Sequence, residues 1–187
     1  MIANLFEIKK TSSGEKGLFA TRFIPKGTID AFRCKKCGTY SKKELAKLSK
    51  KELRFVMDHE VMGKSGLYSK YCDKRMRYDN HSCNANSLSY SKGFGIVVRD
   101  IKKGEEATSD YRMYGEDEVH FVGGCRCGEK NCMKGTTFRP PAPEKLRRSW
   151  NRRINAALRL IPYVKQPLKA KLLKEHPEVS YLFEKAR

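Results

Sequence analysis

Three segments in a fixed order constrain this chain more than anything else in it. They are Arg77-Tyr78-Asp79-Asn80-His81-Ser82-Cys83-Asn84-Ala85-Asn86, then Gly104-Glu105-Glu106-Ala107-Thr108-Ser109-Asp110-Tyr111, then Cys125-Arg126-Cys127-Gly128-Glu129-Lys130-Asn131-Cys132. The last offers three thiols from a tight loop, with Gly123-Gly124 and Gly128 allowing sharp bends. A structural zinc site takes four soft ligands in a tetrahedron, so a fourth is missing locally. His120 is a weaker substitute ligand nearby.

At 187 residues the chain can bury one respectable core, and a second full domain would be cramped. Forty Lys+Arg against 21 Asp+Glu give a formal charge of +19, a field that attracts polyanions or an acidic protein face. Seven cysteines make an odd number, spaced unlike a secreted disulfide framework. The N-terminus lacks a signal-peptide stretch, and no apolar run approaches the ~20 residues of a membrane helix. The expectation is an intracellular protein with reduced thiols and no membrane contact.

The first third is expected to be rich in strands, around 18–23 and 28–32, with Pro25-Lys26-Gly27 as a turn; Gly95–Arg99 is a further strand candidate. Ser41 with Glu44, and Ser49 with Glu52, read as capping boxes opening short helices in an insert at 41–57. Leu45, Leu48, Leu53 and Val56 supply its apolar stripe.

Beyond Pro140-Pro141-Ala142-Pro143, Leu146, Trp150, Ile154, Ala157, Leu158 and Ile161 recur at helical spacing. The 145–161 helix is expected to pack that face inward and present arginines outward, among them Arg148, Arg152 and Arg153, giving weak, salt-sensitive nucleic-acid binding. Residues 139–187 carry 13 Lys+Arg and 4 Asp+Glu. Pro167 and Pro177 are placed to open two further short helices.

Taken together, the three segments resemble the SET-domain lysine methyltransferases with their zinc-binding post-SET segment, over roughly residues 14–138. The resemblance implies a mostly β, β-clip-like and pseudoknotted SET fold with short helices. A catalytic domain at 1–123, with the helical insert around 41–57, and a post-SET segment at 124–138 follow from it, whereas the basic helical extension at 139–187 is an appendage the family core does not require. It implies that Cys83 joins Cys125, Cys127 and Cys132 around Zn2+. It places S-adenosylmethionine against Gly17, Leu18, Phe19, Asn80, His81 and residues after Cys132 such as Thr137 and Phe138. Two departures from the family pattern are Glu15, where a glycine is usual, and Ala85, where proline is usual.

Tyr111 matches the catalytic tyrosine, expected to orient the substrate amine rather than act as a base. Tyr68, Tyr71 and Tyr114 are candidates to line the lysine channel. Ser109 stands where many relatives carry Phe or Tyr; its small size implies di- or trimethylation. The implied partner is a protein presenting a lysine, histone-like in the first instance, with Glu116, Asp117 and Glu118 as acidic receivers of a basic tail. The implied location is the nucleus and chromatin, or the cytoplasm of a prokaryote. The competing reading is a catalytically idle module that holds nucleic acid through the basic tail. Cys34-Lys35-Lys36-Cys37 forms a second pair that Cys72 or His59 would extend toward a second zinc site, but it is expected to be plain thiols near a turn.

Overall fold

The computed structural model describes residues 1–60, 68–91, 93–114, 119–120 and 124–185. Its strands are short and distributed among small sheets. β1 (Phe6–Lys10) and β2 (Lys16–Ala20) form an antiparallel hairpin, pairing Phe6 with Ala20 and Lys10 with Lys16. β3 (Ile29–Phe32) and β4 (Gly38–Thr39) follow, then α1 (Lys42–Leu45) and α2 (Lys50–His59). β5 (Ser69–Lys70) pairs with β4 and closes the root of the insert. β6 (Asn80–His81), β7 (Ser87–Tyr90), β8 (Phe94–Val97) and β9 (Glu106–Ser109) complete two sheets, of order β1-β2-β9-β6 and β3-β8-β7. β10 (Val119–His120) pairs with β11 (Thr137–Phe138).

β6 runs parallel to β9, so the chain around Asn80 is laid alongside a strand nearly thirty residues later. Such an arrangement cannot come from a local hairpin. Asn86, 1% exposed, clamps the junction: its side chain accepts from the Thr108 amide at 2.9 Å and donates to the Glu106 carbonyl at 2.8 Å. A buried amide with both ends satisfied fixes register where strands this short supply few ladder bonds.

Both expected capping boxes form: Ser41 and Ser49 accept from the amides of Glu44 and Glu52, whose carboxylates reach back to the serine amides. Val56 is the buried residue of the insert stripe. Glu60, just past α2, pairs with Arg77 at 2.6 Å, and Arg77 also donates to the Tyr40 hydroxyl at 3.2 Å. The insert is thereby tied to the segment that enters β6.

The C-terminal helices α3 (Glu144–Leu158) and α4 (Lys169–Glu175) belong to the same core as the sheets. Trp150, Ile154, Ala157, Leu172 and Val179 are buried with Leu18, Ile29, Leu88 and Ile96. Gly27 shows how close the approach is. Its φ of +93° suits glycine, and a Cβ there would meet Leu160 Cβ at 2.6 Å. Gln166 accepts from the Ile29 amide at 2.9 Å and donates to the Gly27 carbonyl at 2.8 Å. Pro177 opens a 3-10 helix (Pro177–Phe183), whereas Pro167 precedes the Leu168 cap of α4 rather than occupying its first turn. Arg153 corrects the expectation of an outward arginine face: it is half-buried and donates to the Ala85 carbonyl. Arg147, Arg148, Arg152 and Arg159 remain exposed. No described helix is long and apolar enough to cross a membrane.

Candidate active site

The parallel pairing of Asn80 with Thr108 and of His81 with Ser109 brings the first two sequence segments together. Asn80 donates to the Lys16 carbonyl at 3.0 Å and to the Glu106 carboxylate at 2.7 Å, stitching β6 to β2 and β9. At that junction Gly17 has no room for a side chain. A Cβ would lie 2.2 Å from Glu106 Oε1 and 3.1 Å from Asn80 Nδ2. Gly17 is buried, so the β2 backbone is bare but covered by those two side chains, and a ligand reaching it would meet the Glu106 and Asn80 polar groups first. Leu18, 1% exposed, turns its side chain into the core, so only its backbone remains for such a ligand; Phe19 is half-buried.

Tyr111 begins a 3-10 turn (Tyr111–Met113) capped by Asp110. Its amide donates to His81 Nδ1 at 3.1 Å, and its hydroxyl donates to the Asp79 carbonyl. The phenolic proton is thus engaged, and a phenol oxygen can accept as well as donate. Burial, with the Asp79 charge adding, holds the Tyr111 phenol well above its ordinary pKa, so it is no base near neutrality.

Ser109, 4% exposed, donates to Asp79 Oδ2 at 2.6 Å. Burial pushes the Asp79 carboxyl up to about 7, against the lowering effect of that hydrogen bond. Tyr114 is raised by burial and then by Asp79; Tyr71 is raised by burial, then by Glu60 and Asp79. The Asp79 carboxyl thus bonds the Ser109 hydroxyl, and its charge is felt by Tyr71, Tyr111 and Tyr114. Tyr68 stands apart: its carbonyl accepts from the Tyr40 amide at 2.8 Å beside the β4–β5 root.

Behind Tyr111, Asp110 is 1% exposed and holds Arg112 through both carboxylate oxygens, at 2.7 and 2.6 Å. Trp150 Nε1 donates to Asp110 Oδ2 at 2.9 Å, and His81 Nδ1 lies 3.8 Å from Oδ1. Burial pulls the His81 imidazole down to about 4, with Asp110 opposing. Arg112 reaches on to the Cys83 carbonyl at 3.3 Å, and its guanidinium lies 6.0 Å from the Phe138 ring centroid.

Cys83, Cys125, Cys127 and Cys132 bring their sulfurs within 4.8 Å of one another, with Cys83 and Cys125 3.8 Å apart. Backbone amides point at the sulfurs: Cys83 to Cys127 at 3.5 Å, Met133 to Cys83 at 3.4 Å and Lys134 to Cys132 at 3.4 Å. Four thiols so grouped are the donor set of tetrahedral zinc. Thr137 and Phe138 follow on β11. The His120 side chain and Glu116, Asp117 and Glu118 lie outside the described residues.

The SET-domain family model matches residues 15–112, just over half of the chain. This chain belongs to the SET-domain family. Among curated relatives it is similar to histone-lysine N-methyltransferase 2D of Homo sapiens, 30% identical over 129 residues, which is 63% of this chain and 2% of that protein. It is similar to histone-lysine N-methyltransferase trr of Drosophila melanogaster, 40% identical over 65 residues, 31% of this chain and 3% of that protein. It is also similar to histone-lysine N-methyltransferase ASHH3 of Arabidopsis thaliana, 34% identical over 79 residues, 37% of this chain and 20% of that protein. The chain thus spans a small part of the curated relatives it matches.

Two residues, one in the SET domain and one in the C-terminal extension, carry contacts that sequence reasoning missed. Asp79 lay inside the first segment without a role, yet its carboxylate accepts from the Ser109 hydroxyl and its carbonyl accepts from the Tyr111 hydroxyl. Trp150 was placed on a packing face, but its indole N–H is spent on Asp110. A lone tryptophan on an amphipathic face was the available signal, because a buried indole nitrogen needs an acceptor.

Proposed function

We propose that this SET domain is an S-adenosylmethionine-dependent protein-lysine methyltransferase. The observation that carries the proposal is the placement of Tyr111 between His81 and the Asp79 carbonyl, at the β6–β9 pairing. S-adenosylmethionine would be held by Gly17, Leu18 and Phe19, by Asn80 and His81, and by Thr137 and Phe138, and it supplies an electrophilic methyl group. Everything else falls to the protein's own residues.

The lysine amine must arrive neutral, yet free lysine has a pKa near ~10.4 and about one molecule in a few thousand is neutral at pH 7. Tyr111 keeps its proton and presents lone pairs to the amine, fixing its direction of attack. Asp79, held near 7, is a buried acceptor at the same place, suited to take the ammonium proton before the amine reacts. Tyr71 and Tyr114 wall the channel and exclude water. Tyr68, at the β4–β5 root, is given no part in the channel. Ser109 leaves this wall short where a larger aromatic would fill it, which favours di- or trimethylation.

Zn2+ on Cys83, Cys125, Cys127 and Cys132 would bind the post-SET segment to the strand that carries Asn80 and His81. The relatives' names point to a histone or another basic, DNA-associated protein as substrate, and so to chromatin in a nucleus. The idle-module reading is weaker, because a scaffold for nucleic acid alone does not account for the Tyr111 amide bonded to His81 and its hydroxyl bonded to the Asp79 carbonyl. The test is incubation of the purified chain with isotope-labelled S-adenosylmethionine and a panel of histones and basic proteins. Label on lysine is expected; cofactor binding without transfer to any lysine overturns the proposal.

A further inference from the structure

The sequence led to the expectation of plain thiols at Cys34 and Cys37. The fold instead adds Cys72 and makes a triangle: Cys34–Cys72 sulfurs are 2.9 Å apart, Cys37–Cys72 3.4 Å and Cys34–Cys37 3.5 Å. His59 does not join it; its ring stacks on Phe55, and its Nδ1 meets the Phe55 carbonyl. From this convergence we infer a second zinc site, built by Cys34, Cys37 and Cys72 at the root of the 38–71 insert. It is independent of the post-SET cluster and of the transfer activity.

Three features favour a metal over a chance meeting of thiols. The Cys37 amide donates to the Cys34 carbonyl at 2.9 Å, a tight turn that aims both side chains of a Cys-x-x-Cys pair the same way. The Cys72 amide points at Cys37 Sγ at 3.5 Å, the N–H to sulfur pattern that recurs three times in the four-cysteine cluster. Such donors stabilise a thiolate over a thiol. Finally, Arg33, Lys35 and Lys36 lie in or beside the loop, and three thiolates on a divalent cation leave a net charge of −1 for them to offset.

On loading, three S–H bonds give up their protons to solvent and three Zn–S bonds form. At about 2.3 Å per bond in a tetrahedron, sulfurs stand roughly 3.8 Å apart, so the triangle opens by up to about an ångström. Among the described residues no fourth His, Cys, Asp or Glu joins these three. Cys72 is exposed, so a water from solvent would serve as the fourth ligand.

The site's position gives it a purpose. β4 and β5 pair directly inside Cys37 and Cys72, so a metal there closes the neck of the insert. The same loop is gripped from the C-terminal extension, where Glu175 accepts from the Lys35 amide at 2.6 Å and His176 Nε2 lies 3.2 Å from the Arg33 carbonyl. Zinc would therefore fasten insert, sheet and extension at one point.

The test is zinc per chain by elemental mass spectrometry, on the full chain purified without chelator. Two per chain are expected for the wild type. One each is expected for Cys72→Ser, Cys37→Ser and Cys127→Ser. Cys72 is exposed and Cys37 only partly buried against the core, so at least one of these variants is expected to fold. A wild type with one zinc that Cys72→Ser retains overturns the inference. So does a Cys34–Cys72 disulfide found by peptide mapping of the native chain in place of the second metal. Failure of methyl transfer leaves this metal count unaffected, which separates the two proposals.

Discussion

Asp110 is approached from two sides that differ in kind. From the catalytic segments come Arg112, two residues on, and His81 across the β6–β9 pairing. From the C-terminal extension comes Trp150, forty residues away on α3. The near side is a charge pair that must be complete, because an isolated buried guanidinium or carboxylate is costly. The far side is one neutral donor on a large apolar ring, which orders the network as it fills the core. A positioning network at the site is therefore built from adjacent residues and locked by a distant one.

Removing the near partner should do the most damage. Arg112→Leu leaves Asp110 without its cation and is expected to lower unfolding stability by roughly 3–5 kcal/mol in urea titrations. A loss well below ~1 kcal/mol would break the contrast. Trp150→Phe keeps most of the ring and deletes only the N–H, so the expected loss is about 1–3 kcal/mol. A double-mutant cycle of the two sharpens the comparison: coupling through Asp110 makes the losses non-additive, and strict additivity would mean that the two sides do not communicate.

Asp79 gives a pH-dependent version of the contrast. Its carboxyl is raised from 3.8 to about 7 in the folded chain, so its neutral form is favoured there. The stability it contributes is fully present below pH 3.8 and is lost as pH rises toward 7. Asp79→Asn keeps the shape and cannot ionise. Its stability relative to wild type should grow between pH 4 and 7 and then level off, on the order of 1–3 kcal/mol by denaturant midpoints. A flat difference across that range would contradict the burial argument.

The smallest effect on stability belongs to the exposed face of α3. Arg148→Glu with Arg152→Glu should change unfolding by less than about 0.5 kcal/mol. The same pair should weaken nucleic-acid binding and flatten its salt dependence. An unchanged salt slope would remove the extension's role in polyanion binding and leave only its packing role.

The same contrast decides what could be read from the chain itself. Capping boxes, the α3 stripe and the order of the three segments are local patterns, and each formed where expected. The Asp79–Ser109 bond escaped notice because residues thirty apart meet only through the parallel β6–β9 pairing. Arg153 was misjudged because periodicity locates a helix face but not a carbonyl, here that of Ala85, waiting beneath it. Cys72 was one of two residues named to extend the Cys34–Cys37 pair, but choosing it over His59 required the β4–β5 pairing, two residues per strand, which leaves almost no sequence signature.

The central claim rests on the Tyr111 hydroxyl, and Tyr111→Phe tests it with one atom. Single-turnover transfer from S-adenosylmethionine to a lysine-bearing substrate, measured beside cofactor affinity by calorimetry, is the decisive pair of readings. The expected result is transfer reduced by about 10²-fold or more with cofactor affinity and fold unchanged, since only an orienting contact is lost. Wild-type transfer by the folded variant would contradict the account.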